Sequence, residues 1–171
     1  IDMEEFLDVM DDAIGEVTAM QFSQNNVELS PHWEPLTITY VQNEDCGKDI
    51  PDIGIWHGAS LIISEKAMSV LRPLIESYGE VLPVTCEGKP HYIFNCRTQV
   101  DADVTQSKRV MSEGFFMSAE SLAFPASVES CLFKSPFENN QSIFCDDDFK
   151  DAVQANGLGG LYFGDDLTSF M

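Results

Sequence analysis

The sequence predicts an α+β fold, a single domain with a mixed or antiparallel sheet and a few flanking helices. Three observations lead there. Apolar residues recur at helical spacing in three separate stretches, near residues 6–17, 67–78 and 149–153. Short β-branched or apolar runs lie between these stretches, as in LTITY and LII. The stretch VTCEGKPHYIFNC has the pattern of a hairpin. With 171 residues and a hydrophobic fraction of 44%, the chain can build one core without covalent staples, although two small domains also fit the length.

The elements follow in order. In EEFLDVMDDAIGEV, Phe6, Met10, Ala13, Ile14 and Val17 share a helical face and acids fill the gaps, so an amphipathic helix ending near Gly15 is expected. In PHWEPLTITYVQ, Leu36, Ile38 and Tyr40 alternate with Thr37, Thr39 and Val41, which predicts a strand. NEDCGKDIPDIG reads as a turn-rich connection. Leu61 to Ile63 is a short apolar strand. Ser64 then caps a helix, with Glu65 where the helix dipole favours an anion. Ala67, Leu71, Leu74, Ile75 and Tyr78 line its inner face.

Pro73 removes a backbone donor, so a kink or a restarted turn is expected there, with Gly79 as a left-handed stop. Val81 to Val84 opens the hairpin, its turn spans Glu87 to Pro90, and Tyr92, Phe94 and Cys96 share a face. FFMSAESLAFPASVESCLFKSP reads as a strand followed by a short helix. Ile143 and Phe144 form a strand. Asp146 or Asp147 caps the helix of Phe149, Ala152 and Val153, and Gly157 ends it before a strand over Leu161 to Phe163.

The run Asp146–Asp148 also raises the question of a calcium loop. Counted from Asp146, Lys150 falls on a ligand position, Asp151 where glycine belongs and Gly157 where glutamate belongs. The spacing fits a helix cap instead.

Charge is the unusual quantity. Twenty-nine acids face nine Lys and Arg, for a net charge of −20. No Lys or Arg precedes Lys48, and Asp146, Asp147, Asp148, Asp151, Asp165 and Asp166 form a second acidic group. Such a surface repels nucleic acid and anionic lipid; it serves either solubility or the capture of a basic partner. Nucleic-acid binding and membrane association are not expected, because Lys108–Arg109 is the only adjacent basic pair and no apolar run is long enough to span a bilayer. No signal-peptide pattern is seen, and Ile1 in place of Met suggests upstream trimming. The cysteines, Cys46, Cys86, Cys96, Cys131 and Cys145, are odd in number and contain no CxxC, which suits free thiols in a reducing compartment; Cys86 and Cys96 flank the hairpin.

The search for chemistry yields little. His32, His57 and His91 form no metal-binding pair, and no cofactor or metal is expected. GIWHGAS offers His57 and Ser60 as a conceivable hydrolase pair, but GxSxG is absent and a glycine-bounded turn with Trp56 in the core fits the same residues. GLGG precedes a strand instead of opening a helix, unlike a phosphate loop.

Several stretches, in order, carry a resemblance: HWEPLTI, IPDIGIW, LIISEKAMSVLRPLIE, LPVTCEGKPHYIFNC, FKSP and IFCDDDFKDAVQANGLGGLYF. Their sequence and spacing resemble immunity protein family 11 of the bacterial polymorphic-toxin systems, from about Trp33 to Phe163. Asp101 to Glu129 matches poorly, and the acids before Trp33 lie outside the match. The resemblance implies a cytoplasmic, non-catalytic antidote that binds a cognate toxin, secreted or contact-delivered, and blocks it. It brings no catalytic residues.

On this reading residues 1–30 form an acidic helical segment and residues 31–171 an α+β immunity-like domain. A basic nuclease is one toxin that an acidic face would capture well. The candidate partner-binding residues are Glu4, Glu5, Asp8, Asp11, Asp12 and Glu16; an ordinary solvated helix face is the competing reading.

Overall fold

The computed structural model describes residues 4–40 and 50–168. Asp2, Val41 and the NEDCGKD part of the turn-rich connection, with Cys46, therefore lie outside the described residues.

Helix α1 runs Glu4–Ile14 and ends where expected, at Gly15, whose φ of +84° suits only glycine comfortably. The chain restarts as α2, Glu16–Met20. Phe6 and Met10 are buried, but Ala13 in the last turn of α1 and Val17 beyond the break are exposed, contrary to the expected common face. Strand β1, Leu36–Ile38, is shorter than predicted, with Leu36 and Ile38 buried and Thr37 exposed.

Strand β2, Ile53–Ile55, falls where a turn-rich connection was expected. Its apolar pattern is broken by Gly54, which sits opposite Ile62 of the neighbouring strand. Strand β3, Ser60–Ser64, leads into α3, Glu65–Ile75. Ser64 caps α3 by accepting the Ala67 N–H at 3.2 Å. Pro73 lies in the last turn, so α3 runs through it and stops two residues later, with no restarted turn.

Gly79 is not a left-handed stop. It begins β4, Gly79–Cys86, and a Cβ there would collide with the Asn95 carbonyl and the Phe94 ring. Its role is close backbone approach. Strand β5, Lys89–Cys96, completes the hairpin. The turn is tighter than predicted, only Glu87 and Gly88, at φ +48° and +75°, the signature of a two-residue hairpin turn. Cys86 faces Lys89 at one end and Cys96 faces Gly79 at the other, so the two thiols stay apart and free.

The region 101–129 contains a second hairpin, β6 (Lys108–Ser112) and β7 (Phe115–Ser121). The helix expected after β7 is absent. Phe124 instead packs edge-on against Phe133 and Phe144, at 4.9 Å from each, and the chain proceeds through turns to β8, Leu132–Phe133. Strand β9, Phe144–Cys145, pairs with β8 and precedes α4, Asp147–Ala155. Asp146 caps α4 by accepting the Phe149 N–H at 3.0 Å, and Gly157 ends it at φ +58°. Leu161 and Phe163 form no strand. Both still pack on the core, and the Ile53 N–H donates to the Gly159 carbonyl.

The main sheet has the order β1-β4-β5-β3-β2, with β1 parallel to β4 and every other pair antiparallel. This is the predicted mixed sheet. Both of its faces are buried. Leu61, Ile63, Phe94 and Cys96 point toward α3 and α4, whereas Ile62, Leu82, Val84 and Ile93 meet Phe6, Met10, Phe22 and Leu29 of the N-terminal segment. Burial on both sides explains why LII is continuously apolar.

Candidate functional site

The six predicted partner-binding acids, Glu4, Glu5, Asp8, Asp11, Asp12 and Glu16, are all exposed on α1 and the start of α2. What fixes them is the opposite face. The Phe6 ring contacts Phe22 at 5.4 Å and meets Trp56 edge-on at 5.1 Å. Glu5 Oε1 accepts the Thr37 N–H at 3.3 Å, tying the helix to β1. The result is a negative surface on a rigid mount.

A partly buried polar frame holds the rest of the N-terminal layer. Glu80 of β4 accepts the Leu29 N–H at 3.0 Å, the Ser30 N–H at 2.7 Å and Asn95 Nδ2 at 2.7 Å. Arg97 approaches the same carboxylate at 3.6 Å and exchanges two hydrogen bonds with Asn26. Burial pushes the Glu80 carboxyl up, but these hydrogen bonds outweigh it and hold it below the usual carboxylate range. Lys134 is fully buried and donates from Nζ to the Ser23 carbonyl at 2.8 Å; burial lowers its ammonium to about 8. Glu138, equally buried, accepts the Ser142 N–H at 3.0 Å through Oε1, while Oε2 has no partner; burial raises it to about 7.

No hydrogen bond joins His57 to Ser60. His57 Nε2 donates to the Met20 carbonyl at 3.0 Å, and its ring lies 5.4 Å from that of Phe22. Ser60 is fully buried, and its Oγ has no hydrogen-bond partner. A serine nucleophile needs a base within hydrogen-bond reach, and the imidazole is engaged elsewhere. His32 is exposed in a short 3-10 turn, and His91 is buried in β5. Among the described residues, no group of three or more His, Cys, Asp or Glu is placed to hold a metal ion. Burial raises the thiols of Cys96 and Cys145 to about 11 and that of Cys131 to about 12, which makes them poor nucleophiles. No helix among the described residues is long and apolar enough to cross a membrane.

Sequence reasoning missed the β6–β7 hairpin as a surface feature. Val110, Met111, Phe115 and Met117 are all exposed, Phe115 by 73%. By the register, Val110 shares a face with Ser118 and Met111 with Phe116, and Phe115 lies on the opposite face from Phe116, so the hairpin exposes apolar side chains on both faces. The hairpin is held at its root by Arg109, whose guanidinium lies 4.6 Å over the Phe137 ring and donates to the Pro136 carbonyl at 3.1 Å. The dipeptide Glu113–Gly114, with φ of +51° and +87°, repeats the turn chemistry of Glu87–Gly88 and was the available signal. No model of a known protein family matches this chain, and no curated protein matches it.

Proposed function

We propose that this chain is a cytoplasmic immunity protein that neutralises a cognate bacterial toxin by direct binding, without catalysis. The observation that carries the reading is the acidic face of α1, mounted rigidly on the sheet through Phe6 and Met10 and preceding the first basic residue of the chain. A fixed negative surface steers a basic partner and limits the entropy lost on docking. The exposed β6–β7 hairpin adds apolar contact area of the kind that protein interfaces bury. The ordered motifs that resemble immunity protein family 11 supply the biological setting.

Co-expression with the toxin encoded by the adjacent gene tests the reading. Rescue of growth together with co-purification is expected, and failure of both would overturn it. Reversing Glu4, Glu5, Asp8, Asp11, Asp12 and Glu16 to Lys should slow association by at least tenfold at low salt and flatten its salt dependence. An unchanged association rate would remove α1 from the interface.

A further inference from the structure

Between the turn that follows α2 and the loop after β8 lies an open, polar cleft of about 520 Å³. Its walls are Gln21, Gln24, Asn25, Asn139, Asn140 and Gln141, with Pro136 as the seventh lining residue. Six of these seven residues carry a carboxamide. None is charged, in a protein whose net charge is −20.

The walls are locked together from beneath. Asn140 Nδ2 donates to the Gln24 carbonyl at 2.8 Å, and Gln99 Nε2 donates to Asn140 Oδ1 at 3.1 Å. Ser23 is buried; its Oγ donates to the Asn140 carbonyl and accepts the Ala59 N–H. Lys134 reaches the Ser23 carbonyl from below. Within this frame Asn139 and Asn140 are both left-handed, at φ +60° and +57°. Asparagine enters that region more readily than most non-glycine residues, and the surrounding bonds hold both residues there.

Gln21, Asn25, Asn139 and Gln141 are exposed, so their carboxamides are open to an incoming group. Gln24 Oε1 is buried and has no hydrogen-bond partner. Three ligand classes can be separated by chemistry. An anion is disfavoured: no cation lines the cleft, and the N–H groups of Asn139 and Asn140 are engaged by the Pro136 and Ser135 carbonyls. A sugar is disfavoured because no aromatic ring lines the cleft to stack on its C–H face. A peptide group fits. It is neutral and offers one donor and one acceptor, the same pair that each carboxamide offers in reverse.

We propose that this amide-lined cleft binds the main chain of an uncharged peptide segment. The loop that forms one wall also anchors the β6–β7 hairpin, through Arg109 on Pro136 and Phe137. None of the acidic residues of α1 lines the cleft, so peptide binding there does not depend on the capture of a toxin.

The test uses the full ¹⁵N-labelled chain and follows the side-chain NH₂ signals of Asn and Gln by NMR. The probes are the blocked tripeptide acetyl-Gly-Ser-Gly-amide, trehalose and sodium sulfate, each titrated separately. Saturable shifts at Gln24, Asn139 and Gln141 are expected with the tripeptide, and at least tenfold weaker binding with the other two. Asn139→Gly keeps the left-handed backbone while deleting the amide, so it should weaken tripeptide binding several-fold without lowering the unfolding midpoint. Gln24→Ala should act in the same direction. Absence of saturation with the tripeptide, equal or tighter binding of trehalose or sulfate, or unchanged affinity in both variants would overturn the proposal.

Discussion

The two faces of the main sheet are covered in different ways. On one face, α3 and α4 close over Leu61, Ile63 and Phe94 through apolar contact, and each helix is started by a neighbouring side chain, Ser64 or Asp146. On the other, the N-terminal segment brings Phe6, Met10, Phe22 and Leu29 to Ile62 and Ile93, but polar groups from distant strands and loops fix it in place. Glu80 reaches Leu29 and Ser30, Arg97 reaches Asn26, and Lys134 reaches Ser23. A layer adjacent to its strand in sequence is specified by local caps and periodicity. A layer delivered from far along the chain relies on buried polar contacts that also set its position.

The largest expected effect breaks the first face. Phe149 is almost fully buried between α4 and the sheet, and Phe149→Ala should cost about 3–5 kcal/mol through reduced burial and the cavity left behind. Urea unfolding should show a single transition at a much lower midpoint. Next comes the second face. Glu80→Ala removes the acceptor of the Leu29 and Ser30 N–H groups and one of the two acceptors of the Asn95 amide, and it should cost about 1.5–3 kcal/mol. Hydrogen exchange should separate the two variants. With Glu80 removed, protection should fall first over residues 4–30, because the stranded backbone donors of Leu29 and Ser30 sit in that layer. A uniform fall in protection would mean that the two layers unfold as one.

Proton linkage sharpens the same contrast. Glu138 is raised from the ordinary value of 4.5 to about 7 by burial, so between those values the folded chain holds a proton that the unfolded chain has released. Stability should therefore fall by roughly 2–3 kcal/mol as pH rises from about 4.5 to 7, with no further change from this group above that. Glu80 has the opposite sign. Its carboxyl is depressed, so the stability it contributes is present above the unfolded value near 4.5 and is lost as pH falls through the lowered folded value. Urea midpoints measured from pH 4 to 8 for Glu138→Gln should lack the downward slope of the parent chain while keeping its acid limb.

How much of this was legible in the sequence follows from the same division. The two capped helices, the first hairpin and the exposed acids of α1 could be read because their signals lie within a few residues of each other. Strand β2 was missed because three residues with a central glycine give no alternation. The second hairpin was missed because VMSEGFFM crowds apolar residues on both sides of its Glu113–Gly114 turn, and its bulges disrupt the register. Gly79 was misread because helix-ending glycines and close-approach glycines look alike until the partner strand is known. The frame around Glu80, Lys134 and Asn140 was invisible for a physical reason: its hydrogen bonds join residues 51, 111 and 116 positions apart. No local pattern encodes such pairs. The carboxamides of the cleft likewise come from two stretches that only the fold brings together.

The smallest expected effects test whether the local signals are as independent as their spacing suggests. Ser64→Ala removes the acceptor for the Ala67 N–H, and Asp146→Ala removes the acceptor for the Phe149 N–H. Each should cost about 1 kcal/mol, with Asp146 the larger because its charge also faces the helix N-terminus. The two caps start separate helices and share no hydrogen-bond partner, so the double variant should lose the sum to within about 0.5 kcal/mol. Added salt should narrow the gap between the two single variants, since it screens the charge–dipole part and leaves the neutral hydrogen bond unchanged. A double variant costing much less than the sum would show that α3 and α4, which pack against each other on the same core cluster, respond to the removal of either cap as one unit.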